Sequence, residues 1–239
     1  MTTWTITSAT RLLAFGIACM LIGTPAVGTA QPASERQQPA GRTDRGVFTF
    51  AADVGAPALP GSTAYDPDHR AYMLRASGSN MWGARDEFHA VWRPLRGDFV
   101  LRTHARFTSD GEPHRKLGWI VRTSLDEDAA YADAVVSGNG MTSLQYRRTA
   151  GEQTELIELP ARSPEVIQLE RRGRTFIMSV GRAGEPFSHT QVLDLDLGDA
   201  VYVGLFLCAH DAGAIATATF DAVSINVASS PGSAPERLE

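Results

Sequence analysis

Phe99, Leu101, Thr103, Ala105 and Phe107 alternate with Val100, Arg102, His104 and Arg106, a period of two that predicts a β-strand with one apolar and one polar face. The same alternation returns in Lys116-Leu117-Gly118-Trp119-Ile120-Val121-Arg122, after a polar turn containing Gly111 and Pro113. Antiparallel strands are therefore the building unit. A polar stripe rich in Arg and His crosses several of them, and that stripe is where function is expected.

The rest of the chain repeats the theme. Gly61 to Tyr65 and Ala71 to Arg75 flank Asp66-Pro67-Asp68-His69, a hairpin turn in which Pro fixes φ and the aspartates close the bend. Asp66 and Asp68 have no third acidic neighbour, so they read as turn formers rather than calcium ligands. Asp86 to Leu95 is the next strand. Tyr131 to Val136 runs into Gly138-Asn139-Gly140, a reversal that Gly and Asn accept cheaply, and Thr142 to Thr149 returns from it. Thr154 to Leu159, Val166 to Glu170, Thr175 to Val180 and Val192 to Leu197 follow. Val201 to Cys208 is almost continuously apolar and reads as a strand buried on both faces; Thr217 to Val227 closes the domain. Asp126 to Ala130 is the single helical candidate, one turn long. About a dozen short strands with frequent turns predict an all-β sandwich or barrel. No fixed internal period suggests a propeller.

Composition sharpens this picture at the ends. Arg11 precedes an apolar run from Leu12 to Gly23, and Gly28-Thr29-Ala30 offers small residues for cleavage before Gln31. Residues 1–30 thus read as an export signal, with an uncleaved N-terminal anchor as the alternative. The run is too short and too interrupted for a membrane span, so no membrane segment is expected after cleavage and the mature chain is placed in the periplasm or the medium. Gln31 to Arg45 lacks an apolar period and reads as a flexible linker, 46–227 as the domain, and 228–239 as a disordered tail. Cys19 lies in a poor lipobox, so lipidation is not expected, and Cys208 is left without a disulfide partner. The net charge of −5 and a single lysine, Lys116, argue against nucleic acid as a partner.

Four blocks carry a resemblance. Asp86 to Arg93, Arg115 to Arg122, Thr142 to Arg148 and Val201 to His210 resemble, in order, the concanavalin A-like jelly-roll domain found beside TolB-type propellers in exported bacterial proteins. The group is similar to the DUF1349 family. The resemblance covers nearly all of 46–227, although no propeller follows Val227 in this sequence. It implies two antiparallel sheets packed face to face, with an outer surface on which relatives of the fold bind sugars. Activity has to be argued from the site.

Glycan-cleaving relatives need a carboxylate pair on one face, one to protonate the leaving oxygen and one to attack or activate water. Asp86 and Glu87 are adjacent and point to opposite faces. Asp194 and Asp196 share a face but read as a solvated edge. No nucleophile elbow, metal-binding helix or phosphate loop is present, and no catalytic residue, metal or cofactor is assigned. Cys208 reads as an inert buried thiol. The binding reading draws on more residues. If Glu87, His89 and Arg93 face outward, alternation is compatible with His104 on the next strand, then Arg122, Asp133, and Gln145 with Arg147 on later ones. Trp82, Trp92, Trp119 or Tyr131 would offer a flat surface for a sugar ring. The expected ligand-binding set is Glu87, His89, Trp92, Arg93, His104, Arg122, Tyr131, Asp133, Gln145 and Arg147. The ligand is a glycan or another envelope component, bound without catalysis. A glycoside hydrolase or lyase with a non-standard acid and base (Glu87, His89 or Asp133) and an envelope protein-interaction module are the alternatives.

Overall fold

A computed structural model describes residues 44–228 except Ala183. The expected export signal, most of the linker and most of the tail therefore lie outside the described residues. All regular structure within them is β, and no described helix is long and apolar enough to cross a membrane.

Fourteen strands form two antiparallel sheets of seven. The first sheet has the order β1 (Phe50–Val54), β4 (Phe88–Arg96), β13 (Ala200–Cys208), β6 (Lys116–Arg122), β7 (Tyr131–Ser137), β8 (Thr142–Arg147) and β9 (Glu155–Leu159). The second has β12 (Ser188–Val192), β11 (Thr175–Gly181), β10 (Val166–Arg172), β5 (Phe99–Phe107), β14 (Asp211–Val227), β3 (Ala71–Gly78) and β2 (Ser62–Asp66). This is a two-sheet antiparallel sandwich, one of the two architectures that the alternation predicts and the jelly-roll arrangement that the resemblance implies. Between the sheets lies a core that includes Val91, Leu117, Trp119, Val203 and Leu205 from the first sheet and Leu74, Leu101, Leu169, Met178 and Phe220 from the second. Each strand contributes every second residue to it, because successive side chains point to opposite faces.

Turn chemistry sets the hairpins. Asp66 Oδ1 accepts from the Asp68 and His69 amides at 2.9 and 3.2 Å, and Oδ2 lies 2.7 Å from His69 Nδ1, which holds the Asp66 carboxyl below its ordinary pKa. Gly140, at φ +83°, donates to the Ser137 carbonyl at 2.9 Å and turns β7 into β8. Gly118 solves a closer problem: a Cβ there would stand 1.8 Å from the Ala134 carbonyl oxygen.

Four expectations need correction. Phe50–Val54 is a strand that the sequence did not announce, since Ala51, Ala52 and Asp53 blur the alternation. Leu193 to Leu197 is not a strand. Asp194 takes φ +58° and the Leu195 amide donates to the Arg174 carbonyl at 2.9 Å, so the backbone leaves the sheet while Leu195 and Leu197 stay buried. The strand expected from Val192 onward instead ends there, running over Ser188–Val192 with His189 in it. Within Asp126 to Ala130 the backbone makes a single turn bond, Ala129 N to Asp126 O at 3.1 Å, and no helix. Side chains of β6 and β8 take its carbonyls instead.

Candidate functional site

The first sheet has a second buried face. Opposite the core side, Phe88, Ala90 and Trp92 of β4, Phe206 and Cys208 of β13, Ile120 of β6, and Tyr131 and Val135 of β7 form their own apolar cluster with Val54 and Met81. Alternation places Lys116, Arg122, Asp133, Ser137, Ser143, Gln145 and Arg147 on the same face, all buried. This face is sealed by the chain's own loops, 79–87, 123–130 and 148–154.

Asp86 is the pin. Its Oδ2 accepts from Arg122 Nη1 at 2.6 Å and from Arg147 Nη1 at 2.9 Å, and its Oδ1 accepts from Arg147 Nη2 at 2.8 Å, all three side chains fully buried. The remaining donors go to loop carbonyls. Arg122 reaches Asp126 at 2.6 Å and Ser124 at 3.3 Å; Arg147 reaches Ala129 at 3.0 Å, Glu152 at 2.9 Å and also Gly83. Tyr131 Oη adds bonds to the Met81 carbonyl at 3.1 Å and to Thr154 Oγ1 at 2.8 Å. Asp86, Arg122 and Arg147 are thus buried with their charges hydrogen-bonded, the condition under which such charges are tolerated.

Six of the ten residues expected to bind ligand therefore share one face: Trp92, Arg122, Tyr131, Asp133, Gln145 and Arg147. The structure does not bring the other four to it. Glu87 lies at the loop end and accepts from Ser79 N and Oγ at 3.1 and 2.8 Å. His89 and Arg93 point to the opposite side of β4. His89 Nδ1 is 2.7 Å from Asp53 Oδ1 and Nε2 is 2.9 Å from Thr63 Oγ1, which bolts β2 of the second sheet to β1 and β4 of the first. Arg93 donates to the Val47 carbonyl at 3.2 Å. His104 is on the second sheet, because β4 and β5 are consecutive in sequence but in different sheets. It faces Asp221 at 3.4 Å on the wall of a cavity of about 580 Å³.

At one end of the sealed face a smaller cavity of about 180 Å³ opens, lined by Asn80, Trp82, His114, Lys116, Ser137, Met141, Gln145, Leu156 and His210. Trp82, 37% exposed, has its ring centroid 5.6 Å from Lys116 Nζ, and Leu156 is similarly open. Lys116 itself is buried. Its ammonium donates to Asn80 Oδ1 at 3.3 Å, Met81 O at 3.4 Å and Gln145 Oε1 at 3.2 Å. Burial pushes the Lys116 pKa down, opposed by the charge of Asp133; burial pushes Asp133 well above the carboxylate range, opposed by Lys116. Neither Asp133 oxygen has a side-chain partner, and the Ser137 hydroxyl in the cavity wall has none. His114 and His210 both face Glu112, at 3.2 and 3.5 Å. The Cys208 thiol is buried and pushed up to about 11, mainly by that burial, so it is no ready nucleophile.

Of the cavity's residues, only Gln145 belongs to the expected set; Trp82 was one of four aromatic surfaces considered, with Trp92, Trp119 and Tyr131, and was not in the set. Lys116 was legible as the single lysine, placed on a strand. Asn80, Ser137, Met141, Leu156, His114 and His210 come from loops and strand ends that pairing alone brings together. Among the described residues no group of three His, Cys, Asp or Glu side chains is placed to hold a metal ion.

No protein-family model matches the sequence, and no curated protein matches it. Solved structures do. A functionally unknown protein from Saccharomyces cerevisiae is similar over 70% of this chain and 92% of its own, at 13% identity and a TM-score of 0.55. A carbohydrate-binding module, CBM66 from Bacillus subtilis, is similar over 75% and 97%, at 14% identity and a TM-score of 0.48. A family 7 alginate lyase is similar over 69% and 82%, at 8% identity and a TM-score of 0.46. The last two likenesses carry no argument about this chain. The first, at so low an identity, shows the fold alone: an antiparallel two-sheet β-sandwich.

Proposed function

We propose that the protein is an exported, non-catalytic β-sandwich module that binds a carbohydrate of the cell envelope or its surroundings at the Trp82 cavity. One observation carries the reading. A partly exposed indole stands at a cavity into which amide, ammonium, imidazole and hydroxyl groups converge. A sugar ring presents apolar C–H faces and a rim of hydroxyls, and that combination of one flat apolar surface with a few fixed polar groups is what receives it. The volume suits a single ring rather than an extended chain. The polar groups of the sheet centre are spent on holding loops, so the binding site belongs at this end of the face.

The resemblance to the DUF1349 group, with its TolB-associated setting, and the N-terminal export pattern support placement in the periplasm or the medium. Isothermal titration calorimetry of the purified protein against a panel of soluble mono- and oligosaccharides tests the proposal. At least one sugar class is expected to bind, and Trp82→Ala to weaken it by roughly tenfold or more, the factor that corresponds to about 1.4 kcal/mol. Absence of binding across the panel, or undiminished binding by the variant, would overturn the reading.

A further inference from the structure

We infer that the Trp82 cavity selects a sugar carrying a carboxylate, such as a hexuronate, and that Lys116 with Ser137 receives the acidic group. This rests on the carbohydrate reading above and gives it a charge.

Lys116 and Ser137 are direct cross-strand partners of β6 and β7, on the same face and in the same cavity wall. Residues so paired have Cβ atoms about 4.5–5.5 Å apart, close enough for an ammonium and a hydroxyl to grip one anionic group. Lys116 lacks an anionic partner, and Ser137 lacks any. Lys116 is 5% exposed, and its three acceptors are neutral and stand 3.2–3.4 Å away. Ammonium bonds to anionic oxygens are ordinarily about 2.7–2.9 Å. Ser137 is 2% exposed, and its hydroxyl has no hydrogen-bond partner. A desolvated cation without a bonded anion, beside an unpaired donor in a cavity, is an incomplete ion site.

The chain's own acids do not complete it. Asp133 is the carboxylate nearest in influence, yet it makes no side-chain bond to Lys116, and burial favours its neutral form. Asp86 is held by Arg122 and Arg147. Glu112, at the rim, faces His114 and His210. Of the buried basic groups on the sealed face, Arg122 and Arg147 share Asp86, which leaves Lys116 as the one without a bonded carboxylate. Trp82 adds the flat surface that makes a ring, rather than a bare anion, the better occupant.

The test is calorimetry on the whole protein with matched pairs: oligosaccharides of a hexuronate, the same oligosaccharides after reduction of the carboxylate to the alcohol, and the corresponding sulfated neutral sugar. The acidic sugar is expected to bind roughly ten- to a hundredfold more tightly than its reduced partner, the range a charge-assisted hydrogen bond brings. That advantage is expected to shrink with added salt. Lys116→Met should abolish the preference, and Ser137→Ala, the milder change, should reduce it; Trp82→Ala should weaken both sugars alike. Equal binding of acid and alcohol by the native protein would overturn the inference while leaving the carbohydrate reading in place. Preference for the sulfated sugar over the uronate would overturn the carboxylate assignment, and binding of none of the three would overturn inference and carbohydrate reading together.

Discussion

The two faces of the β4-containing sheet are both shut off from water, by opposite means. Towards the second sheet, Leu117, Trp119, Leu205 and their neighbours meet another layer of apolar side chains. Away from it, a smaller apolar cluster gives way to Arg122, Asp133, Gln145 and Arg147, and what closes the surface is loop backbone held by guanidinium groups. Sheet-on-sheet burial needs no directional partner, because it is proportional to apolar area removed from water. A loop has unpaired carbonyls, so it can cover a sheet only where donors wait beneath it. Arg supplies several in a fixed fork. The comparison explains why a face that reads as wet in the sequence is dry in the fold, and why a ligand cavity survives only where the loops stop.

The contrast can be broken most severely at Asp86. Asp86→Ala leaves two fully buried guanidinium groups without their anion, and a loss of about 3–5 kcal/mol is expected by urea denaturation. A loss below about 1 kcal/mol would show that the loops are held by something else. Replacing Asp86, Arg122 and Arg147 together with apolar residues of similar volume should cost far less than Asp86→Ala alone, since a buried ion set is often dispensable once no charge is stranded. On the other face, Leu205→Ala opens a cavity without stranding a charge. Its expected cost of about 2–5 kcal/mol should be insensitive to salt, and coupling with Asp86→Ala in a double-mutant cycle would show that the two faces are not independent.

The smallest effect separates the two by pH. Burial lowers the His89 pKa, with Asp53 opposing. The unfolded chain then binds a proton more readily than the native one near the ordinary His value of about 6.5. This contribution is present above that pH and is lost as pH falls from it through the lower native value. His89→Gln should flatten this limb in denaturation midpoints taken across that range. An unchanged limb would assign the acid sensitivity to other groups.

How much of this was legible varies by residue. Val201 to Cys208 announced a strand buried on both faces, and β13 is central, with both sides covered. The hairpin at Asp66 to His69 was equally plain, because its bonds are local. The face of β4 was not. Phe88, Ala90 and Trp92 alternate with His89, Val91 and Arg93, and both rows mix sizes and polarities, so the row towards the core is decided by what packs on each side. His104 failed for a related reason: the break at Gly97, φ +69°, sends β5 to the other sheet, and alternation carries no record of which sheet a strand joins.

By itself the sequence determined an all-β sandwich or barrel, most strand positions and the hairpin turns, since those rest on period-two alternation and on turn residues acting over a few positions. Only the tertiary structure decided that Asp86 would meet Arg122 and Arg147, that the polar stripe would be covered, and that Lys116 would stand beside Ser137 at an open cavity. These juxtapositions join residues tens of positions apart. They are fixed by sheet order and by the demand that every buried charge and loop carbonyl find a partner, and no local pattern encodes either.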